Sequence, residues 1–166
     1  MQHIYIAGPD VFELNSINIG QKLVSLCEEY GYSGLYPLDN VVDFTQSKHK
    51  IAQDIFDANV AMIEKADIVI ANLNAFRGKE PDSGTVWECG YALAKGKKVY
   101  LYMQDTSSYV DRFHDDEKTQ QELFVVDNEE KIIEDFAHPL NLMLSCSATE
   151  IVQGTFEDVL KKIRVS

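Results

Sequence analysis

Long hydrophobic runs are missing from this chain: nowhere in its 166 residues do apolar positions approach the roughly 20 in a row that a membrane-spanning helix needs. The opening MQHIYIAGPD also lacks the charged-then-apolar plan of a secretory signal, since its apolar stretch is strand-length and ends in Gly-Pro-Asp. A cytoplasmic protein with no membrane partner is expected. Cysteine is scarce. Cys27, Cys89 and Cys146 have no metal-type spacing, and an odd number without an export signal points to free thiols. His3, His49, His114 and His138 form no metal-ligand pattern either, so neither a metal nor a cofactor is expected. Basic residues are outnumbered, 15 against 27 acidic ones, giving a net charge of -12. A field of that sign repels phosphate backbones and disfavours a nucleic-acid partner, but it does not repel a neutral small molecule. Glycine is too sparse in Gly8-Pro9-Asp10-Val11-Phe12 for a dinucleotide or P-loop fingerprint, and Pro9 removes a donor that a phosphate cradle would use.

What is present is an alternation of strand and helix patterns, with hydrophobic residues at 45% and charged ones at 25%. His3 to Ala7 reads as a buried strand closed by Gly8-Pro9. Ser16 to Tyr30 has helical spacing and stops at Gly31. Leu35-Tyr36 reads as a second strand, Ile51 to Lys65 as a helix, and the β-branched run Asp67 to Leu73 as a central parallel strand. Thr85 to Ala94 is a third helix ended by Gly96, and Val99 to Met103 a fourth strand. The acidic stretch Gln104 to Lys118 is expected to be a surface loop or lid. Asn141 to Leu144 is expected as a fifth strand and Phe156 to Ile163 as a last helix. The pattern predicts one α/β domain over residues 1–166, a parallel sheet of about five strands flanked by helices. Ligands of such sheets gather beyond the carboxyl ends of the strands. That places interest on Gly8 to Phe12, Pro37 to Asn40, Asn74 to Gly84 and the loop after Met103.

The densest cluster is Asp82-Ser-Gly-Thr-Val-Trp-Glu88-Cys-Gly-Tyr-Ala. Two readings of Glu88 share one expected geometry. Thr85 and Glu88 have the spacing of a capping box, with Glu88 reaching back to the Thr85 N–H. A carboxylate in a first helical turn also feels the positive end of the helix dipole, stays ionised near neutral pH, and can attack an anomeric carbon. Asp82, six positions upstream, either forms a turn or faces the same pocket as a proton source. Phe12 either stacks on a flat heterocycle or sits at the core edge. Asp39 puts another carboxylate at a strand end, and Asn59 is ordinarily a solvated amide.

These blocks, IYIAGPDVF, YPLDN, Asn59 leading into ADIVIANL, DSGTVWECGYALAKGKKV and the late Asn141-Leu142-Met143, resemble the nucleoside 2-deoxyribosyltransferases in order and spacing over nearly the whole chain. The resemblance implies a flavodoxin-like fold and a double displacement between deoxynucleosides and free nucleobases. It implies Glu88 as the nucleophile and Asp82 as the carboxylate beside the departing base. It places Gly8 and Phe12 in the base pocket, and Asp39 and Gly84 in motifs of the substrate site. Asn141 matches a residue that reaches a neighbouring subunit's site near the sugar 5′-hydroxyl, which implies a homo-oligomer. One position departs from the family: several relatives carry Asp where this chain has Asn59. An amide can orient Glu88 but cannot deliver a proton at neutral pH, which shifts the acid role to Asp82 or water.

Rival readings remain. A deoxynucleoside 5′-monophosphate N-hydrolase would use water as acceptor on the same scaffold. The first loop carries Asp10 and Glu13, with only Arg77 and Lys79 as nearby cations, which favours nucleosides over nucleotides. A non-catalytic nucleotide-derivative sensor is a different class. An electron carrier is disfavoured by the missing phosphate-binding run in the first loop.

Overall fold

The computed structural model describes residues 1–40 and 42–165. In chain order the elements are β1 (His3–Ala7), α1 (Ser16–Glu29), β2 (Ser33–Leu35), α2 (Lys48–Lys65), β3 (Ile68–Asn72), α3 (Ser83–Ala94), β4 (Lys98–Met103), β5 (Lys118–Gln121), β6 (Phe124–Asp127), β7 (Ile132–Ile133), α4 (Leu142–Ser145), β8 (Glu150–Gln153) and α5 (Phe156–Val165). Five strands form a sheet in the order β2-β1-β3-β4-β8, every neighbouring pair parallel. The expected α/β architecture, a five-stranded parallel sheet flanked by helices, is what the chain forms. No helix among the described residues is long and apolar enough to cross a membrane.

Strand alternation divides the core into two layers. Tyr5, Ala7, Val69, Ala71, Val99, Leu101 and Met103 pack with Ile63 of α2, Ala66 just past its end, and Cys89 and Ala92 of α3. Ile4, Ile6, Ile68, Ile70, Tyr100 and Tyr102 pack on the opposite side with Cys27 of α1 and Phe156, Val159 and Leu160 of α5. Both faces are covered, which explains why β1, β3 and β4 read as nearly continuous apolar runs.

Polar side chains fasten the carboxyl ends of three neighbouring strands. Asn72 Nδ2 donates to Asp10 Oδ2 at 3.0 Å, Asn74 donates to Asn72 Oδ1 through its backbone N–H (3.1 Å) and Nδ2 (2.7 Å), and the Gln104 N–H donates to Asn74 Oδ1 at 2.8 Å. This chain of hydrogen bonds fixes the loops that the sheet presents to ligands.

Two expectations change. Asn141 to Leu144 is no strand: Asn141 caps the short helix α4, its Oδ1 accepting the Met143 N–H at 3.0 Å. A short side-chain acceptor next to its own backbone competes well with a sheet ladder. The fifth strand is β8, an edge strand of four residues whose half-exposed Glu-Ile-Val-Gln carries little hydrophobic signal. The segment Gln104 to Lys118 runs outside α-helices and strands until β5 starts at Lys118, as expected of a loop, but it is held in place. It contains a 3-10 turn at Tyr109–Arg112, and Lys79 and Glu80 fasten it through Glu117 and the Tyr109 hydroxyl. It then leads into a small antiparallel sheet, β5-β6-β7.

Candidate active site

α3 begins two residues before its expected start, and this changes the chemistry of its first turn. Asp82 is the N-cap: its Oδ2 accepts from the Thr85 N–H and the Thr85 Oγ1, both at 2.9 Å. Thr85 lies inside the helix rather than capping it, so the Thr85–Glu88 capping box does not form. Glu88 is the sixth helical residue, past the unpaired N–H groups where the dipole acts. The expectation that the dipole keeps it ionised is corrected by its surroundings. Burial pushes its pKa up to about 7, opposed by a hydrogen bond from Tyr5 and reinforced by the charge of Asp82.

Tyr5 is the functional candidate that sequence reasoning missed. Its ring is fully buried in the middle of β1, and its hydroxyl donates to Glu88 Oε1 at 2.5 Å. Burial, then the charge of Glu88, holds the phenol far above its ordinary pKa, so the group acts as a fixed donor. Among the described residues nothing hydrogen-bonds Glu88 Oε2, so one carboxylate oxygen is oriented and the other has no hydrogen-bond partner. The missed signal was a phenol at a core-facing strand position, because a buried hydroxyl needs an acceptor.

The other candidates fall in different places. Gly8 ends β1 in extended conformation, and a Cβ there would lie 2.8 Å from Asn72 Cβ, so its role is the close approach of two strand ends. Gly84 lies one turn before Glu88 on the same side of α3. A Cβ there would meet Asp82 Oδ2 at 3.1 Å, so glycine keeps the approach to both carboxylates open. Phe12 is exposed and stacks on Phe76, centroids 5.3 Å apart, with the Arg77 guanidinium over both rings. It therefore lies on the surface, in the turn that follows β1, and not in the core.

Asn59 does not orient Glu88. Its Oδ1 is buried without a hydrogen-bond partner, and Tyr5 makes the contact expected of it. Asp39 accepts the Tyr36 N–H at 3.3 Å and caps its own 3-10 turn. Asn141 is not brought to Glu88 within the chain. It lines a cleft of about 680 Å³ with Ser83, Val86, Gly90 and Leu93 of α3, and its Nδ2 donates to Glu134 at 2.6 Å. Glu88 is two residues from both Val86 and Gly90, which at about 100° per residue turns it to the opposite face of the helix.

A carboxylate of raised pKa, held by a phenol from the middle of β1, suits attack on an electrophilic carbon. The model of the nucleoside 2-deoxyribosyltransferase family matches residues 4–143. The chain belongs to this family. A 2-deoxyribosyltransferase from Leishmania mexicana is similar over 99% of this chain and 98% of that one, with 31% identity and a TM-score of 0.79. A 2-deoxyribosyltransferase from Bacillus psychrosaccharolyticus shares the fold at 21% identity, covering 95% of this chain and 90% of that one, with a TM-score of 0.61. A CMP N-glycosidase from Clostridium botulinum shares it at 16% identity over 99% and 100% of the two chains, with a TM-score of 0.51. An uncharacterised protein of Schizosaccharomyces pombe is 28% identical over 112 residues, 66% of this chain. The chain spans about half of that curated relative's length, 53% of it. At 16% identity the N-glycosidase shows a likeness of fold alone.

Proposed function

We propose that residues 1–166 act as one nucleoside 2-deoxyribosyltransferase domain, moving a 2-deoxyribosyl group between nucleobases through an ester to Glu88. The observation that carries this reading is the Tyr5–Glu88 pair, one carboxylate oxygen held and the other without a hydrogen-bond partner among the described residues. In the first displacement Glu88 Oε2 bonds to the anomeric carbon as the bond from that carbon to the base nitrogen breaks. The electron pair stays on the nitrogen, which takes up a proton. In the second, a nitrogen of another base attacks the same carbon, loses its proton and frees the carboxylate, so configuration is retained. Asp82 stands on the leaving-base side. Its Oδ2 is committed to Thr85 and its Oδ1 has no hydrogen bond among the described residues, so Oδ1 is the oxygen that would exchange a proton with the base.

Deoxynucleosides and free bases are the expected partners, with Gly8, Phe12, Asp39, Asn59 and Gly84 around them and Asn141 serving a neighbouring copy. Incubating a deoxynucleoside with a second free base and separating the products tests the reaction class. Appearance of the exchanged nucleoside is expected. Release of only free sugar and base would assign a hydrolase instead.

A further inference from the structure

Away from Glu88, the carboxyl ends of β3 and β4 open into a second cleft of about 360 Å³, whose lining includes Asn74, Gly78, Lys79, Gln104, Asp105 and Arg112. Lys79 and Arg112 lie 33 positions apart and clasp each other's backbone. Lys79 Nζ donates to the Arg112 carbonyl at 3.0 Å, and Arg112 Nη1 donates to the Lys79 carbonyl at 3.2 Å. Two like charges are thus held together by reciprocal bonds, in a chain of net charge -12 with carboxylates in excess. Only one of the two is neutralised. Lys79 pairs with Glu117 at 2.7 Å, whereas no carboxylate lies within ion-pair distance of Arg112 among the described residues. A guanidinium has five N–H donors. Arg112 uses its Nη1 on the Lys79 carbonyl and its Nη2 on the Met103 sulfur at 3.9 Å, with the Tyr109 ring 5.7 Å from its centre.

A partly buried cation without a counter-ion is costly unless an anion arrives to pair with it. A planar fork beside an ammonium suits the oxygens of a phosphate more than a lone carboxylate. Asn74 and Gln104 also line the cleft, each side-chain amide NH2 with one bond already made, to Asn72 Oδ1 and to the Gly154 carbonyl, and Gly78 leaves the wall open, with nothing within 4 Å of where a Cβ would be. Asp105 works against an anion: it feels the charge of Arg112 without reaching ion-pair distance, and its Oδ1 accepts the Ser107 N–H at 2.9 Å. We propose that this cleft binds a phosphate-class oxyanion on Arg112 and Lys79. The site does not depend on Glu88 forming an ester. It also supplies a cation beyond the Arg77 and Lys79 that the sequence places near the strand ends.

The test is a titration of the full chain with inorganic phosphate at constant ionic strength, read by backbone amide resonances and by Tm. Saturable shifts at Gly78 and Gln104 and a rise in Tm are expected, with Arg112→Gln weakening binding about ten-fold or more and Arg112→Lys keeping part of it. A second arm compares a 2-deoxynucleoside with its 5′-monophosphate. Tighter binding of the monophosphate, lost in Arg112→Gln, makes the oxyanion part of a nucleotide. Phosphate binding with no gain for the nucleotide makes free phosphate the ligand. No response of the wild-type resonances to either compound overturns the site, as does an unchanged response in Arg112→Gln. Should Arg112→Gln fail to fold, the wild-type resonance map together with Lys79→Gln gives the same decision.

Discussion

The two faces of α3 are built for different purposes. On one, Glu88 is drawn against a buried phenol, in surroundings that raise its pKa to about 7. On the other, Ser83, Val86, Gly90 and Leu93 line an open cleft with Asn141, Met143 and Leu144 and a single acidic residue, Glu80. A reactive carboxylate needs a fixed neighbour and restricted water. A face that is small, apolar and open is suited to being covered. The cleft of about 680 Å³ and the carboxylate therefore lie on opposite sides of one helix, and that cleft alone would have pointed away from Glu88.

The sharpest way to break this contrast is Glu88→Ala, expected to reduce base exchange by several orders of magnitude while the chain stays folded. Retained exchange would remove the carboxylate from the mechanism. Next in size is Tyr5→Phe. Losing the donor raises the Glu88 pKa further, so the acid limb of kcat/KM, expected near pH 7, should move upward and the rate at pH 7 should fall about ten-fold or more. An unmoved pH profile would reduce Tyr5 to a packing residue.

For the opposite face, Asn141→Ala is expected to raise KM for the nucleoside about ten-fold, as loss of one polar contact does. Mixing it with Glu88→Ala chains should restore about a quarter of the activity if the site is shared between copies of a two-fold dimer. No recovery on mixing would confine Asn141 to its capping role. The smallest effect concerns stability. A carboxyl whose folded pKa lies above its unfolded value binds more protons when folded, so it contributes most at low pH and loses that contribution as pH rises through about 7. Glu88→Gln should then stabilise the fold at pH 8 by on the order of 1 kcal/mol and by nothing near pH 4, as read from denaturant midpoints. The opposite sign at pH 8 would mean that the carboxylate is stabilised in place.

The β-branched strands and the helices between them were legible because burial on both sheet faces writes itself into composition. Residues 118–133 were not, since Lys-Thr-Gln-Gln has no apolar alternation and the strands of this small sheet are largely exposed. Glu88 and Asp82 stand out as candidates in the sequence, but their positions in the helix do not. Either Asp82 or Thr85 can cap, and only the backbone shows that Asp82 does so, moving Glu88 into the second turn. Tyr5 was hidden by the long reach across 83 positions to its acceptor. Asn141 was read into a strand because its neighbours are apolar, whereas its own side chain starts a helix.

The most direct test of the covalent claim is the intact mass of the chain after brief exposure to a 2-fluoro-2-deoxynucleoside, followed by peptide mapping. The expected result is a gain of one fluorinated sugar carried on Glu88 and discharged when a free base is added. A chain that exchanges bases yet carries no sugar, or carries it on another residue, would contradict the account.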